Sequence, residues 1–179
     1  MSNPVAPDVV RACVVAGDLN THYYRAGRGQ PLVLLIHDET LRSGLLAAIP
    51  RNVRVLSPDS PQSVLSEAAD PGDFAVWLRS FLDALGLHRV AIVADAGFTA
   101  AALDFARADS ERVARMVLLQ RGSRDESHTV WGVTDQNATE PTLLVVWLGR
   151  DEMGLNRIVP RIVDFVCGHE SPTEVARER

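Results

Sequence analysis

The sequence predicts an α/β protein built on a doubly wound, mostly parallel sheet of eight strands, and three observations carry that expectation. Apolar strand-like runs alternate with helical patterns along the chain. The later runs are nearly continuous in Val, Ile and Leu, as strands covered on both faces require. The first two runs are separated only by AGDL (16–19), turn chemistry that sets an antiparallel hairpin at the start. At 179 residues the chain has the length of one ordinary domain, and a single domain over 1–179 is expected.

In chain order, the strand candidates are VVRACVV (9–15), NTHYYRA (20–26), PLVLLIH (31–37), VRVLSP (53–58), RVAIVA (89–94), ARMVLLQ (114–120), TLLVVWLG (142–149) and RIVDFV (161–166). Helix candidates lie between and after them at 41–49, 73–86, 97–108 and 171–178. In the second, Asp73 is the expected N-cap. Phe74, Trp77, Leu78, Phe81, Leu82 and Leu85 recur at helical spacing, which marks a core-facing stripe, and Gly86 closes it. The stretch 121–140 is the one long irregular segment, polar apart from Val130, Trp131 and Val133; loops of that length are usually functional or mobile.

Composition excludes several classes of function. The formal net charge is −5 and the arginines form no cluster, so the basic footprint that nucleic acid needs is missing. All 18 basic residues are Arg, which rules out Schiff-base and P-loop lysine chemistry. No apolar stretch approaches the roughly 20 residues of a membrane span. The start, MSNPVAPDVVRAC, lacks the basic and apolar regions of a signal peptide, so a cytoplasmic location is expected. Cys13 and Cys167 fall in different apolar strand candidates, form neither CxxC nor a metal spacing, and read as buried reduced thiols. Nothing indicates a metal, nucleotide or flavin, and no cofactor is expected.

These segments, in this order, resemble the α/β-hydrolase family over nearly the whole chain. GDLNTHYYRAGRGQPLVLLIH resembles the opening hairpin and third strand, ending at the oxyanion loop, and VRVLSPDSP resembles the Pro-Asp loop. WLRSFLDALGLHRVAIV and SERVARMVLL resemble the elements flanking the nucleophile elbow. PTLLVVWLGRDE resembles the strand that delivers the catalytic acid, and CGHESPTEVARE the loop around the catalytic His. The resemblance implies Asp151 as the acid and His169 as the base, in the order expected for this fold. A carboxylate there orients an imidazole that moves protons.

Three departures from the family pattern bear on mechanism. The elbow, VAIVADAGFTAA (90–101), has no Gly-x-nucleophile-x-Gly. Gap-free counting from either side puts Ala94 and Phe98 at the two Gly positions and Ala96 at the nucleophile, leaving none. A slip of one residue makes Asp95 the nucleophile, with Gly97 as the small residue after it, resembling the haloalkane dehalogenase and epoxide hydrolase branch. In the oxyanion loop, His37 stands where expected but Asp38 replaces Gly; turned to water it is inert, and turned to the pocket it repels an oxyanion or serves as a second acid or base. The third departure is size, since only 121–140 stands in place of a cap domain. An uncapped sheet leaves apolar surface that a homodimer would cover.

Three functions follow as expectations. The first is an enzyme acting on a small carbonyl compound by His/Asp acid–base chemistry without an enzyme nucleophile, through isomerisation, elimination or cyclisation. The second is a hydrolase using Asp95 as nucleophile on an epoxide, a haloalkane or an activated ester. The third is a catalytically dead homologue that binds a ligand or partner. In each case the site is expected at the carboxyl ends of the strands, among His37, Asp38, Asp95, Ala96, Gly97, Asp151 and His169.

Overall fold

The computed structural model describes residues 9–61, 72–121, 130–133, 142–148 and 155–168. These form an eight-stranded sheet with helices on both faces. In chain order the strands are β1 (Val10–Ala16), β2 (Leu19–Ala26), β3 (Gln30–Leu35), β4 (Val53–Pro58), β5 (Val90–Ala94), β6 (Val113–Arg121), β7 (Val130–Val133) and β8 (Thr142–Leu148). The helices are α1 (Glu39–Ala48), α2 (Asp73–Ala84), α3 (Thr99–Ala108) and α4 (Leu155–Cys167).

The strand order is β1-β2-β4-β3-β5-β6-β8-β7. The central pairs are parallel, from β4 through β3, β5 and β6 to β8, and the opening hairpin and the β7 edge are antiparallel. The chain moves outward from β3 to β4 and then returns to place β5 on the other side of β3. That reversal makes the gap between the carboxyl ends of β3 and β5 the topological switch point, where open α/β sheets bind ligands.

Local chemistry explains the framework. The β1–β2 hairpin turns through Gly17, whose φ of 63° is the left-handed conformation such tight turns need. Gly27 (φ 68°) passes so close to β4 that an added Cβ would stand 2.0 Å from the Val53 carbonyl oxygen, so only glycine fits there. Alternate residues of β5 feed two cores. Val90, Ile92 and Ala94 pack under α2 and α3, and Ala91 and Val93 pack under α1 and α4. On α2, the expected stripe Phe74, Trp77, Leu78, Phe81 and Leu82 is buried, at about 1.5–3 kcal/mol for each large side chain. The Trp77 indole N–H donates to the buried Thr21 hydroxyl at 3.0 Å, tying α2 to β2.

The structure corrects four expectations. RIVDFV is the second half of α4 and no strand: Ile158, Ile162 and Val166 lie one turn apart and are buried with Val159, Val163 and Phe165. Pro160 sits inside that helix. The eighth strand is instead β7, inside the expected loop 121–140, pairing through its short apolar VWGV with β8. The N-cap of α2 is Gly72, with Asp73 in the first turn, where its charge favours the positive end of the helix dipole. Cys13 is exposed on β1 and Cys167 is half-buried at the end of α4, and both are free thiols. The expected helix 171–178 lies outside the described residues.

Candidate functional site

An open cavity of about 430 Å³ lies at the switch point, walled by the loop after β3, the turn after β5 and Leu119 of β6. His37, Asp38, Asp95, Ala96 and Gly97 all line it, so five of the expected site residues converge. Asp151 and His169 lie outside the described residues.

The turn after β5 is built around Asp95. Its backbone N–H donates to the Leu35 carbonyl at 3.0 Å, continuing the β3–β5 pairing one residue past the strand. Its carbonyl accepts the Phe98 N–H (3.0 Å) and the Thr99 hydroxyl (3.1 Å), and that hydroxyl accepts from the Gln120 amide at 2.8 Å. Asp95 is only 8% exposed and its carboxylate points into the protein. Oδ2 accepts the backbone N–H groups of His37 (2.6 Å) and Asp38 (3.3 Å), and Oδ1 accepts that of Gly97 (3.0 Å). The last contact is an Asx turn, the short-range bond an Asp makes two residues ahead. The first two clamp the β3–α1 loop onto the turn. Charge-assisted bonds of this kind are the strong ones.

Ala96 is exposed in the turn and lines the cavity, and its side chain is only a methyl group. Phe98 points the other way, 4% exposed, packed on Phe74 with ring centroids 5.9 Å apart and near the His37 ring at 6.4 Å. A bulky aromatic therefore occupies the position that the gap-free count matched to a Gly.

Asp38 has a structural task that neither expectation named. It is the N-cap of α1, and its Oδ1 accepts the Leu41 N–H at 3.0 Å. The signal was in the sequence, an Asp three residues before the first core-facing Leu of a helix. Sequence reasoning also missed the brace behind this helix. The Arg42 guanidinium bonds Asp59 at 2.7 Å and also bonds Glu39, and it lies 5.3 Å from the Tyr24 ring centroid. Burial works against the Arg42 charge, but the Asp59 and Glu39 carboxylates outweigh it and raise its pKa above the ordinary guanidinium value. Arg11 reaches Asp59 from the other side at 3.4 Å. The start of α1 is thus held against β1, β2 and the loop after β4. Among the described residues, no cluster of His, Cys, Asp and Glu is arranged to hold a metal ion. No helix among them is long and apolar enough to cross a membrane.

A central parallel sheet with an antiparallel opening hairpin, helices on both faces and a strand-turn-helix at the switch point defines the α/β-hydrolase fold, here in divergent form. Among solved structures, the chain is similar to a naproxen esterase from Bacillus subtilis (TM-score 0.55, 20% identity, 63% of this chain and 43% of that one). It is also similar to a meta-cleavage product hydrolase from Pseudomonas fluorescens (TM-score 0.52, 25% identity, 65% and 47%) and to an epoxide hydrolase from Vigna radiata (TM-score 0.52, 17% identity, 63% and 40%). The chain spans less than half the length of each of these. No family model matches the sequence, and no curated protein matches it.

Proposed function

We propose that this chain is an α/β-hydrolase-like enzyme acting on a small organic molecule by His/Asp acid–base chemistry with no nucleophile of its own. The observation that carries this reading is the elbow: the exposed Ala96 has only a methyl side chain, and the adjacent carboxylate has both oxygens tied to backbone N–H groups. In this reading His169 is the base, Asp151 orients its imidazole, and Asp95 is a positioning residue that holds the two loops of the cavity together. Backbone donors already taken by Asp95 are poor stabilisers of a developing oxyanion. A substrate carbonyl is activated instead by proton donation from His37 at the cavity wall. Isomerisation, elimination or cyclisation of a carbonyl compound fits that arrangement. The solved neighbours described as an esterase and an epoxide hydrolase support a small organic substrate.

Hydrogen–deuterium exchange next to the carbonyl of cyclohexanone in heavy water tests the reading. The exchange should fall by about 10²–10⁴-fold in His169→Ala, the size of a general-base contribution. Serine-directed phosphonates should leave the elbow unlabelled. Exchange that is absent, or unaffected in His169→Ala, overturns the reading and leaves a ligand- or partner-binding homologue.

A second reading, Asp95 as a hydrolytic nucleophile, draws support from the place of Asp95 in the cavity lining and from Oδ1, which accepts one N–H, that of Gly97, where Oδ2 accepts two. Single turnover of styrene oxide in heavy-oxygen water separates the two. A nucleophilic Asp95 leaves the solvent oxygen on its own carboxylate, whereas an anchoring Asp95 gains none.

We further place the protein in the cytoplasm as a homodimer, with small molecules rather than nucleic acid or membrane as its partners. Exposed Val10 and Val15 on edge strand β1, with Val9 just before it, support the dimer. Light scattering giving a monomeric mass across micromolar concentrations would overturn it.

A further inference from the structure

Three backbone N–H groups from two separate loops converge on one point beside the cavity: those of His37 and Asp38 after β3, and that of Gly97 after β5. Converging N–H groups of this kind form a concave seat for an anion. In this chain the seat is full. The Asp95 carboxylate lies in it, with contacts of 2.6, 3.3 and 3.0 Å. The neighbouring donor at the start of α1, the Leu41 N–H, is likewise taken by a side chain of the protein, Asp38.

Three acidic residues, Asp38, Glu39 and Asp95, are among those that line the cavity. Among the described residues no arginine lines it, and Arg42 on α1 is engaged by Asp59 and Glu39. An incoming carboxylate or phosphate would find, among the described residues of these walls, neither a free N–H seat nor an unengaged arginine. It would also lose its hydration shell beside like charges.

We infer that Asp95 determines the charge class of the ligand: its carboxylate is a built-in anion that fills the N–H seat, so the cavity takes neutral or cationic small molecules and rejects anionic ones. This rests on the reading of the cavity as the substrate site. It adds a specific consequence, namely that removing one carboxylate converts the seat into an anion site. The conversion is steric as well as electrostatic, because Asp95→Ala empties the position that both carboxylate oxygens occupy. Gly97 keeps the seat open on the other side: a Cβ there would stand 3.3 Å from Asp95 Oδ1, so any larger residue crowds the same point.

Benzoate, benzamide and benzamidine are nearly isosteric and differ in charge, which makes them suitable probes. Their binding can be followed at the backbone amide resonances of His37, Asp38 and Gly97 without reference to activity. In the native protein, benzamide and benzamidine should shift these resonances at concentrations at least about tenfold below benzoate, a preference worth about 1.4 kcal/mol. In Asp95→Ala the order should reverse, with benzoate binding best. Where Asp95→Ala does not fold, Asp95→Asn keeps a seated side chain while removing its charge, and its benzoate affinity should rise above native. Equal binding of benzoate and benzamide to the native protein would overturn the inference and leave the cavity as the substrate site. Failure of all three probes to shift these amides would overturn the substrate-site reading along with it.

Discussion

Replacing Asp95 in two steps measures how much of the site's architecture its carboxylate holds. In Asp95→Asn the remaining carbonyl oxygen can still accept the His37 and Asp38 N–H groups, as Oδ2 does at 2.6 and 3.3 Å. The new amide then faces the Gly97 N–H, donor against donor, where Oδ1 had accepted at 3.0 Å. One charge-assisted bond is lost and the other two weaken, which costs about 1–2 kcal/mol. Asp95→Ala removes all three bonds. Water can reach the exposed loop residues His37 and Gly97 and recover part of the loss, so the expected cost is about 3–4 kcal/mol, below three full charge-assisted bonds. Urea unfolding with a shared slope resolves differences of this size from the midpoints. The anchor argument predicts the order native, Asn, Ala. Two variants within about 0.5 kcal/mol of native, the scatter of ordinary surface substitutions, would refute it.

The other predictions probe neighbouring parts of the structure. Thr21→Val removes the acceptor of the buried Trp77 indole N–H and should cost about 1–3 kcal/mol in the same unfolding assay; a neutral result would contradict that bond. Gly97→Ala should destabilise by about 1 kcal/mol, because its Cβ would sit 3.3 Å from Oδ1 of an Asp95 carboxylate that three hydrogen bonds, one on Oδ1 and two on Oδ2, hold in place. A thiol reagent should modify exposed Cys13 well before Cys167, whose pKa is raised by burial and by Asp164 against the opposing effect of Arg115. The sign for stability follows. The folded Cys167 holds its proton more tightly than the unfolded one, so its contribution is complete below the ordinary thiol pKa and is lost as pH rises through the folded value. In a Cys13→Ser background, Cys167→Ser should therefore flatten the alkaline end of the stability profile, and an unchanged profile would contradict the shift.

The elements legible in the sequence were those whose pattern is unambiguous. Continuous Val/Ile/Leu runs such as PLVLLI and VAIVA have one sensible place, the middle of a parallel sheet, and β3 and β5 lie there. RIVDFV was not legible because six apolar-rich residues fit a strand or a helix equally well, and the run is only the second half of a longer helix. VWGV is a four-residue edge strand in polar surroundings, held by pairing with β8 rather than by any pattern of its own. At the site, chain order brought His37, Asp38, Asp95, Ala96 and Gly97 to one cavity. The direction of the Asp95 side chain was beyond sequence reasoning, because it is set by N–H groups 57 and 58 residues away in the chain.

The central claim is that the Asp95 carboxylate fills the backbone N–H seat at the switch point. The most direct test is an NMR correlation, carried through the hydrogen bond, from the His37 amide nitrogen to the Asp95 side-chain carboxyl carbon. The backbone pair between the Asp95 N–H and the Leu35 carbonyl, at 3.0 Å, serves as the internal reference. The shorter 2.6 Å contact at His37 should give a correlation at least as strong as that reference. A clear reference signal with none between His37 and the Asp95 carboxyl would mean that the seat is empty and the carboxylate is free to act elsewhere.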